Sequence, residues 1–295
     1  MPPTSSSPLN QLAQQEKMRR EVMHKSDLIP PLPDLVVRLL SVLNRQETEP
    51  QDLERLMQND QVLVAKMLAM VNSPLYGLNR SIRTIKEAVM VLGFRGVRSL
   101  VLATSTAKFM QRDFSCYGHQ PKGLWLHAAC VAAASKALAK SCKLGQDTAE
   151  MLFVSGLMHD IGKLMLVQYL APHQQTAPTK TTVTWEREKI GIDHTEAGAL
   201  VTAKWNLAPE IQDVIKAHHD EPSDSTEKLG AIVRLADAVA HERGIGYLPG
   251  RTPDVSASAA DLNVLGISAS AWIDVRADLA VAMDEAIASL GNIAS

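Results

Sequence analysis

The 295-residue chain is poor in aromatic residues, in cysteine and in net charge, and each shortage excludes a class of protein. Aromatic residues make up 4% of the sequence, whereas Ala, Leu, Val and Met are abundant, which favours helices over sheets. Three cysteines without a C-x-x-C spacing exclude a disulfide framework and a structural zinc knuckle, and they indicate a reducing compartment. Because the net charge is −2, the sequence carries no direct nucleic-acid signature.

Long apolar runs are also missing. No run approaches 18 consecutive apolar residues, and the first ten residues are polar, with Ser and Pro in place of an apolar signal core. We therefore predict a cytoplasmic protein with no membrane-spanning segment. A chain of this length can bury a large core and divide into two lobes.

Apolar residues recur at helical spacing along most of the chain, and no convincing strand or internal repeat is present. Asp60 is a candidate helix cap, Thr48 and Thr84 begin candidate capping boxes, and Gly93 is suited to the end of a helix. These signals predict an all-α protein. The predicted segments are a polar N-terminal segment (1–26), an N-terminal helical lobe (27–115), a second helical lobe (123–245) and a C-terminal loop and helix (246–295).

Five of the nine histidines lie in an ordered series with two aspartates. The series is His127, His159, Asp160, His194, His218, His219 and Asp237. A single histidine on an apolar helix is usually a core or surface group, but the order and residue types of the whole series indicate metal binding. Imidazole and carboxylate bind divalent Fe, Mn, Ni or Zn, and a carboxylate beside a histidine can bridge two ions. The sequence therefore predicts one or two divalent ions.

Residues around the series have less specific interpretations. Lys163, three residues after Asp160, is either a phosphate contact or an ordinary exposed lysine. Thr195 is either a site residue or a helix cap. The four histidines outside the series are predicted to be surface groups; they are His24, His119, His173 and His241.

Short motifs in both lobes resemble known families. The second lobe contains Gly156–Lys163, Asp193–Gly198 and His218-His219, which resemble the HD superfamily of helical metal-dependent phosphohydrolases. The first lobe contains Leu32-Pro33, Asn59–Leu63, Asn72–Tyr76 and Ala88–Gly93, which resemble the HD-related output domain (HDOD) family. The resemblance covers about residues 27 to 245. It implies a two-lobed, all-α HDOD architecture with an HD-like metal-binding bundle, and a bacterial signalling or regulatory role.

The ligand series is similar to that of the HD-GYP branch, which hydrolyses cyclic di-GMP. The resemblance implies that one ion is held by His127, His159, Asp160 and Asp237. It implies that Asp160 bridges to a second ion, held also by His194, His218 and His219. If the site is hydrolytic, Asp160 and Lys163 are the candidate catalytic residues.

Two departures from the HD-GYP pattern bear on specificity. The Gly-Tyr-Pro segment that would follow His218-His219 is absent, since Asp220-Glu221-Pro222 stands there. Gly123 stands one helical turn before His127, where some HD-GYP members place an additional Glu ligand, so we expect no third ion. The later Gly246–Pro249 segment is in the wrong place for this motif, and we interpret it as a loop.

The sequence leaves two functions open. The first is a cytoplasmic HDOD signalling protein that binds one or two metal ions and relays the state of that lobe to a protein partner through its N-terminal lobe. The alternative is a metal-dependent phosphodiesterase or phosphohydrolase acting on a nucleotide or cyclic dinucleotide. We favour the first, because the family is mostly regulatory and the specificity segment is absent.

Overall fold

The structure is a computed structural model that describes residues 8–25, 29–45, 47–58, 60–78, 80–173, 181–222, 227–249 and 255–290. Asn59 of the first-lobe motif lies outside these ranges. The described residues form helices and no strand, with one isolated bridge between His119 and Tyr247. The all-α prediction is confirmed.

Five helices cover the N-terminal part of the chain. They are α1 (Pro8–His24), α2 (Asp34–Leu43), α3 (Pro50–Met57), α4 (Gln61–Val71) and α5 (Ile85–Thr106). The backbone at Gly93 interrupts α5 with a positive φ of 70°, so this helix consists of two halves. The predicted end of a helix at Gly93 corresponds to this interruption, because glycine adopts this conformation without steric cost.

Two of the three helix caps predicted for this part of the chain are confirmed. Asp60 and Thr84 each accept a hydrogen bond from the amide three residues on. At α3 the prediction is wrong by one residue, because Glu49 and Asp52 form the capping box. The Thr48 hydroxyl instead donates to backbone carbonyls at the end of α2.

Nine helices follow along the rest of the described chain. They are α6 (Gly123–Ser141), α7 (Gln146–Met158), α8 (Lys163–Leu170), α9 (Thr182–Ile190), α10 (His194–Lys204), α11 (Pro209–Ala217), α12 (Lys228–Glu242), α13 (Ala259–Leu265) and α14 (Ala269–Leu290). Helix α6 lies at the centre, with α7, α12 and α14 packed around it. Its residues are small and apolar in the middle, which lets the neighbouring backbones approach closely.

Buried side chains of both predicted lobes form one continuous hydrophobic cluster. The polar N-terminal segment also belongs to the folded body, since α1 packs on α9 and Arg19 forms an ion pair with Glu196 at 2.7 Å. The division of the chain into one lobe that ends at residue 115 and a second that begins at residue 123 remains a prediction. Phe114 and Tyr117, at this predicted boundary, are buried.

Among the described residues, Ile85–Gln111 is the one segment long and apolar enough to span a membrane by length and composition. In the structure, 61% of its most apolar window is buried inside the protein. The segment is mostly α5, which packs against α2, α3, α4 and α7. Its apolar character is therefore accounted for by its place in the core.

Candidate metal centre

A glycine contact brings the two central motifs together. His159 and Asp160 follow the last residue of α7, and His194 is the first residue of α10. Gly162 lies directly against the start of α10, where an added Cβ atom would overlap the carbonyl oxygen of His194. Only glycine permits this approach of the two backbones, which carries His194 to within reach of Asp160.

The start of α10 is held by Asp193. Its carboxylate accepts hydrogen bonds from the amides of Thr195 and Glu196, at 2.8 and 3.1 Å. Asp193 is therefore the helix cap, and the interpretation of Thr195 as the cap is wrong. The Thr195 hydroxyl donates to Asp193 at 2.7 Å and supports the same cap.

The first group of candidate ligands joins three helices. His127 comes from α6, His159 follows α7 and Asp237 comes from α12, and their candidate ligand atoms all lie within 4.8 Å of one another. His127 Nε2 lies 2.9 Å from Asp237 Oδ1 and 3.9 Å from Asp160 Oδ2. His159 Nε2 lies 3.4 Å from the same Asp160 oxygen. Four side chains thus converge on one point, as the sequence predicts.

The second group consists of His194, His218 and His219, whose candidate ligand atoms also lie within 4.8 Å of one another. His194 Nε2 is 3.3 Å from His218 Nε2 and 3.0 Å from His219 Nε2. The other oxygen of Asp160, Oδ1, lies 3.4 Å from His194 Nε2. Asp160 therefore faces the first group with Oδ2 and the second with Oδ1.

Burial without hydrogen bonds shows that these atoms fit a cation. His127 Nε2, His159 Nε2 and Asp237 Oδ1 are buried, and none makes a contact with hydrogen-bond geometry, although His127 Nε2 and Asp237 Oδ1 lie 2.9 Å apart. Polar atoms left this way cost free energy, and the convergence of lone pairs on one point adds electrostatic repulsion. A divalent ion bound there satisfies them all, and imidazole with carboxylate is a suitable donor set for Fe, Mn, Ni or Zn.

Acceptors behind the imidazole rings aim the ligand nitrogens at the centre. His159 Nδ1 lies 2.7 Å from the carbonyl oxygen of Gly156, and His218 Nδ1 lies 2.6 Å from that of Ile215. When Nδ1 carries the proton and donates it, Nε2 keeps its lone pair for a metal. Both carbonyls come from the preceding helical turn, so the local helix sets this orientation.

Glu186 on α9 was missed by sequence reasoning. Its side chain is fully buried, and its Oε2 lies 2.7 Å from His194 Nδ1 and accepts the backbone N–H of His194 at 2.9 Å. Tyr117 donates its hydroxyl to the other oxygen, at 2.8 Å. A carboxylate eight residues before a histidine has no distinctive spacing, so nothing in the sequence singled it out.

Lys163 is buried, and the interpretation as an ordinary exposed lysine is wrong. Its ammonium donates to Asp160 Oδ2 at 2.7 Å. Burial raises the pKa of Asp160, but Lys163 and His159 oppose it and hold the pKa well below its usual value. Asp160 is therefore ionised, the state that bridges two cations.

The histidines of the second group have different protonation preferences. Burial, together with His159 and His194, lowers the pKa of His218 to about 3. Burial and its two neighbouring histidines hold the pKa of His219 well below its usual value. For His194, burial lowers the pKa but Glu186 raises it more. His218 and His219 are therefore neutral near pH 7, as metal ligands must be.

Two histidines predicted to be surface groups are buried beside the first group. His119 is 2% exposed and His241 is 8% exposed. His241 Nε2 lies 3.5 Å from Asp237 Oδ1, one helical turn away on α12. Tyr247 stacks on His119 with ring centroids 4.3 Å apart. His24 and His173 are exposed, as predicted.

The segment from Gly246 to Pro249 is a loop, as predicted, but it packs against the site. A Cβ atom added to Gly123 would overlap the carbonyl oxygen of Gly246. The backbone N–H of Gln120 donates to the same carbonyl at 3.0 Å, which holds the loop in place. No glutamate fits at position 123 unless this loop moves.

A cleft of about 290 Å³ borders the second group. Its lining includes His218, His219 and Thr195, together with the guanidinium groups of Arg187 and Arg234. Arg234 is bound by Asp261 and Glu227, whereas the Arg187 side chain is 55% exposed and contacts Asp193 at 2.6 Å. Among the described residues that line this cleft, Arg187 is therefore the cationic side chain that solvent reaches beside the second group.

Known proteins resemble this chain over most of its length. An HDOD domain protein of unknown function from Geobacter sulfurreducens is 25% identical, with a TM-score of 0.64, and the match covers 96% of this chain and 97% of that one. An uncharacterised protein of Treponema pallidum is 25% identical over 81% of this chain and 46% of its own length. Ribonuclease Y of Fervidobacterium nodosum is 26% identical over 73% of this chain and 36% of its own length.

The chain thus spans less than half the length of these two curated relatives. The family model for the HDOD domain matches residues 29–221. This range includes the first-lobe helices and six of the seven candidate ligands, with Asp237 beyond its end. Since the match covers most of the sequence, the chain belongs to the HDOD family.

Proposed function

We propose that this protein is a regulatory HDOD protein whose second lobe binds two divalent metal ions. The observation that carries the proposal is the position of Asp160 between two groups of ligand atoms, with one carboxylate oxygen toward each. A carboxylate in this position is the bridge that a dinuclear site requires. The first lobe then passes the state of this site to a protein partner in the cytoplasm.

Seven residues would hold the ions. His127, His159 and Asp237 serve the first ion; His194, His218 and His219 serve the second; and Asp160 serves both. Lys163 is bound to Asp160 Oδ2, the oxygen facing the first ion. An ion at the first position would therefore compete with Lys163 for this oxygen. Displacement of the Lys163 ammonium would then couple metal binding to the positions of the surrounding side chains.

The shared core supports a relay to the first lobe. Helix α5 packs on α7, and residues of both belong to the same buried cluster. His159 and Asp160 directly follow α7, so a displacement of His159 reaches the first lobe through α7 alone. Tightly packed interiors transmit such shifts because they contain few voids.

Metal content tests the proposal. We expect protein purified without chelator or affinity-tag metal, or reconstituted with Mn or Fe, to hold about two equivalents by inductively coupled plasma mass spectrometry. Asp160→Ala removes the bridge and should lose both. Asp213→Asn, an exposed aspartate on α11, is the control and should keep both. No metal after reconstitution of folded protein would reject the metal centre.

A second function is favoured by the cleft beside His218 and His219. If divalent ions are bound by these residues, they would supply water activation and polarisation of the phosphate oxygens of a substrate. Arg187 would neutralise the phosphate of a substrate in the cleft, and Glu186 would keep His194 in a fixed orientation. The similarity to ribonuclease Y supports phosphodiester chemistry. The substrate would then be a nucleotide or cyclic dinucleotide.

Hydrolysis distinguishes this second function from the first. We would assay the Mn-loaded protein with bis(p-nitrophenyl) phosphate and cyclic di-GMP. An enzyme should lose turnover in Asp160→Ala, and Arg187→Gln should raise KM with metal content unchanged. Metal-loaded protein without turnover on either compound would leave the regulatory proposal standing alone.

A further inference from the structure

The side chain of His241 lies at the metal centre, although the predicted ligand series does not include it. His241 is on α12, one helical turn after Asp237, and its side chain is 7% exposed. Its Nε2 atom lies 3.5 Å from Asp237 Oδ1. Because this oxygen belongs to the group that would hold the first ion, the His241 nitrogen is within reach of the same ion.

Three imidazole nitrogens surround Asp237 Oδ1. The Nε2 atoms of His127, His159 and His241 lie 2.9, 3.6 and 3.5 Å from this oxygen. The first two histidines are predicted ligands of the first ion. The nitrogen of His241 therefore lies as close to the shared oxygen as the nitrogen of His159 does.

The separation between His241 Nε2 and Asp237 Oδ1 is that of two ligands on one ion. Imidazole nitrogens and carboxylate oxygens bind Zn²⁺ at about 2.1 Å, so two ligand atoms of one ion lie about 3 to 4 Å apart. A hydrogen bond between nitrogen and oxygen is shorter, at about 2.7–3.2 Å. Asp237 Oδ1 is buried and makes no contact with hydrogen-bond geometry. The contact is thus too long for a hydrogen bond, whereas it fits shared coordination.

Neighbouring rings hold the His241 imidazole in this position. The ring centroids of His127 and Tyr247 lie 5.1 and 4.9 Å from its own. Tyr247 belongs to the loop that packs against Gly123, and its hydroxyl lies 3.3 Å from His241 Nε2, where an ion would compete with it. Packing that fixes a side chain in place reduces the reorganisation needed to bind a metal.

We propose that His241 is a further ligand of the first ion, bound through Nε2. This inference rests on the proposed function, because it adds one residue to the metal centre described there. The first ion then has three imidazoles and two carboxylates, whereas the second has three imidazoles and one carboxylate. Zn²⁺ in proteins usually takes four ligands, so the five-ligand position favours an ion that accepts more, such as Mn²⁺ or Fe²⁺. The two ions are therefore not equivalent.

Titration of the full chain with Co²⁺, followed by calorimetry and by visible absorption, tests the proposal. The absorption of bound Co²⁺ depends on the number and type of its ligands. In His241→Ala, the affinity of one site should fall at least about tenfold, and the absorption of Co²⁺ at that site should change. The other site should keep its affinity and its absorption. His173→Ala, at an exposed histidine, is the control and should bind as the wild type does.

A second variant and an added ligand separate coordination from packing. His241→Gln fills more of the space than alanine does and should show the same selective loss, so the result does not depend on the folding of His241→Ala alone. Free imidazole added to His241→Ala should restore the affinity and the absorption of the weakened site. Tyr247→Phe keeps the packed ring and removes the competing hydroxyl, so both sites should bind Co²⁺ at least as tightly as in the wild type.

The outcomes distinguish this ligand from the metal centre as a whole. Wild-type affinity and absorption at both sites in His241→Ala and His241→Gln would overturn the role of His241 and leave the metal centre in place. Equal weakening of both sites would also overturn it, because a ligand of one ion acts selectively. A wild-type chain that binds no Co²⁺ would instead reject the proposed function, and this ligand with it.

Discussion

Glu186 holds His194 through two contacts made by a single carboxylate oxygen, one to the ring Nδ1 at 2.7 Å and one to the backbone N–H at 2.9 Å. His194 Nε2 consequently points to Asp160 and to the other two histidines of the second group. Orientation by a buried carboxylate is a common way to fix a metal-binding imidazole. This contact is the basis of the first prediction.

Glu186→Gln should weaken the second ion selectively. The amide cannot supply the same negative charge behind His194, and loss of such a partner typically costs about 10–100-fold in metal affinity. Titration with Mn²⁺, followed by calorimetry, should show one weakened site and one unchanged site. Glu188→Gln, an exposed neighbour on α9, is the matched control. Equal weakening of both sites would contradict the assignment of His194 to one ion.

Removal of a single ligand should separate the two ions. His219→Ala removes a ligand of the second group alone, and Asp237→Ala removes one of the first group alone. Each variant should hold about one equivalent of metal where the wild type holds two, because Asp160 remains available to the intact group. Mass spectrometric metal analysis of the folded variants measures this. Loss of both ions from His219→Ala would show that the groups do not bind independently.

Gly123→Ala should destabilise the protein. The added Cβ atom overlaps the carbonyl oxygen of Gly246, and forced repacking of this kind typically costs about 1–3 kcal/mol in the free energy of unfolding. Urea denaturation of the metal-free protein measures the change. Gly145→Ala is the control, since no atom lies within 4 Å of its added Cβ, and it should change the free energy by less than about 0.5 kcal/mol. Equal effects of the two substitutions would contradict the close approach.

The metal-free protein should lose stability as the pH falls below about 6.5, and His119 should account for part of that loss. Burial, with Lys163 and His127, holds the folded-state pKa of His119 well below its ordinary value of 6.5. The unfolded chain therefore binds a proton in this window that the folded chain does not, so the contribution is fully present above the unfolded pKa and falls as the pH drops.

His119→Gln should accordingly reduce the slope of unfolding free energy against pH, below about pH 6.5, by up to about 1.4 kcal/mol per pH unit. His173→Gln, at an exposed histidine, should leave the slope unchanged. Urea denaturation at a series of pH values measures both. An unchanged slope in His119→Gln would show that this histidine binds its proton equally in both states.

The candidate ligands could be predicted from the sequence because each lies in a short motif with its own helical context. His159 and Asp160 follow an apolar helix and precede Gly162, and His218 and His219 follow the last residue of α11. Their order along the chain resembles the ligand order of the HD-GYP branch. That resemblance predicts which residues share an ion. Helical spacing and cap residues also predicted most of the helices. The predicted cap of α3 was wrong by one residue, because two neighbouring side chains can both serve as caps.

The residues that sequence reasoning missed act across long separations in the chain. Tyr117 reaches Glu186, and His119 stacks on Tyr247, in each case through contacts between segments far apart in sequence. A histidine such as His241 has the same local pattern whether its helix faces solvent or a neighbour, so burial could not be deduced from that pattern.

The sequence by itself determined the helical class, the family and which residues are candidate ligands, because periodicity and short motifs depend on neighbouring residues. Only the tertiary structure decided which oxygen of Asp160 faces which group, and that Lys163 is buried against one of them. The physical reason is that burial, hydrogen bonding and pKa depend on which helices pack together.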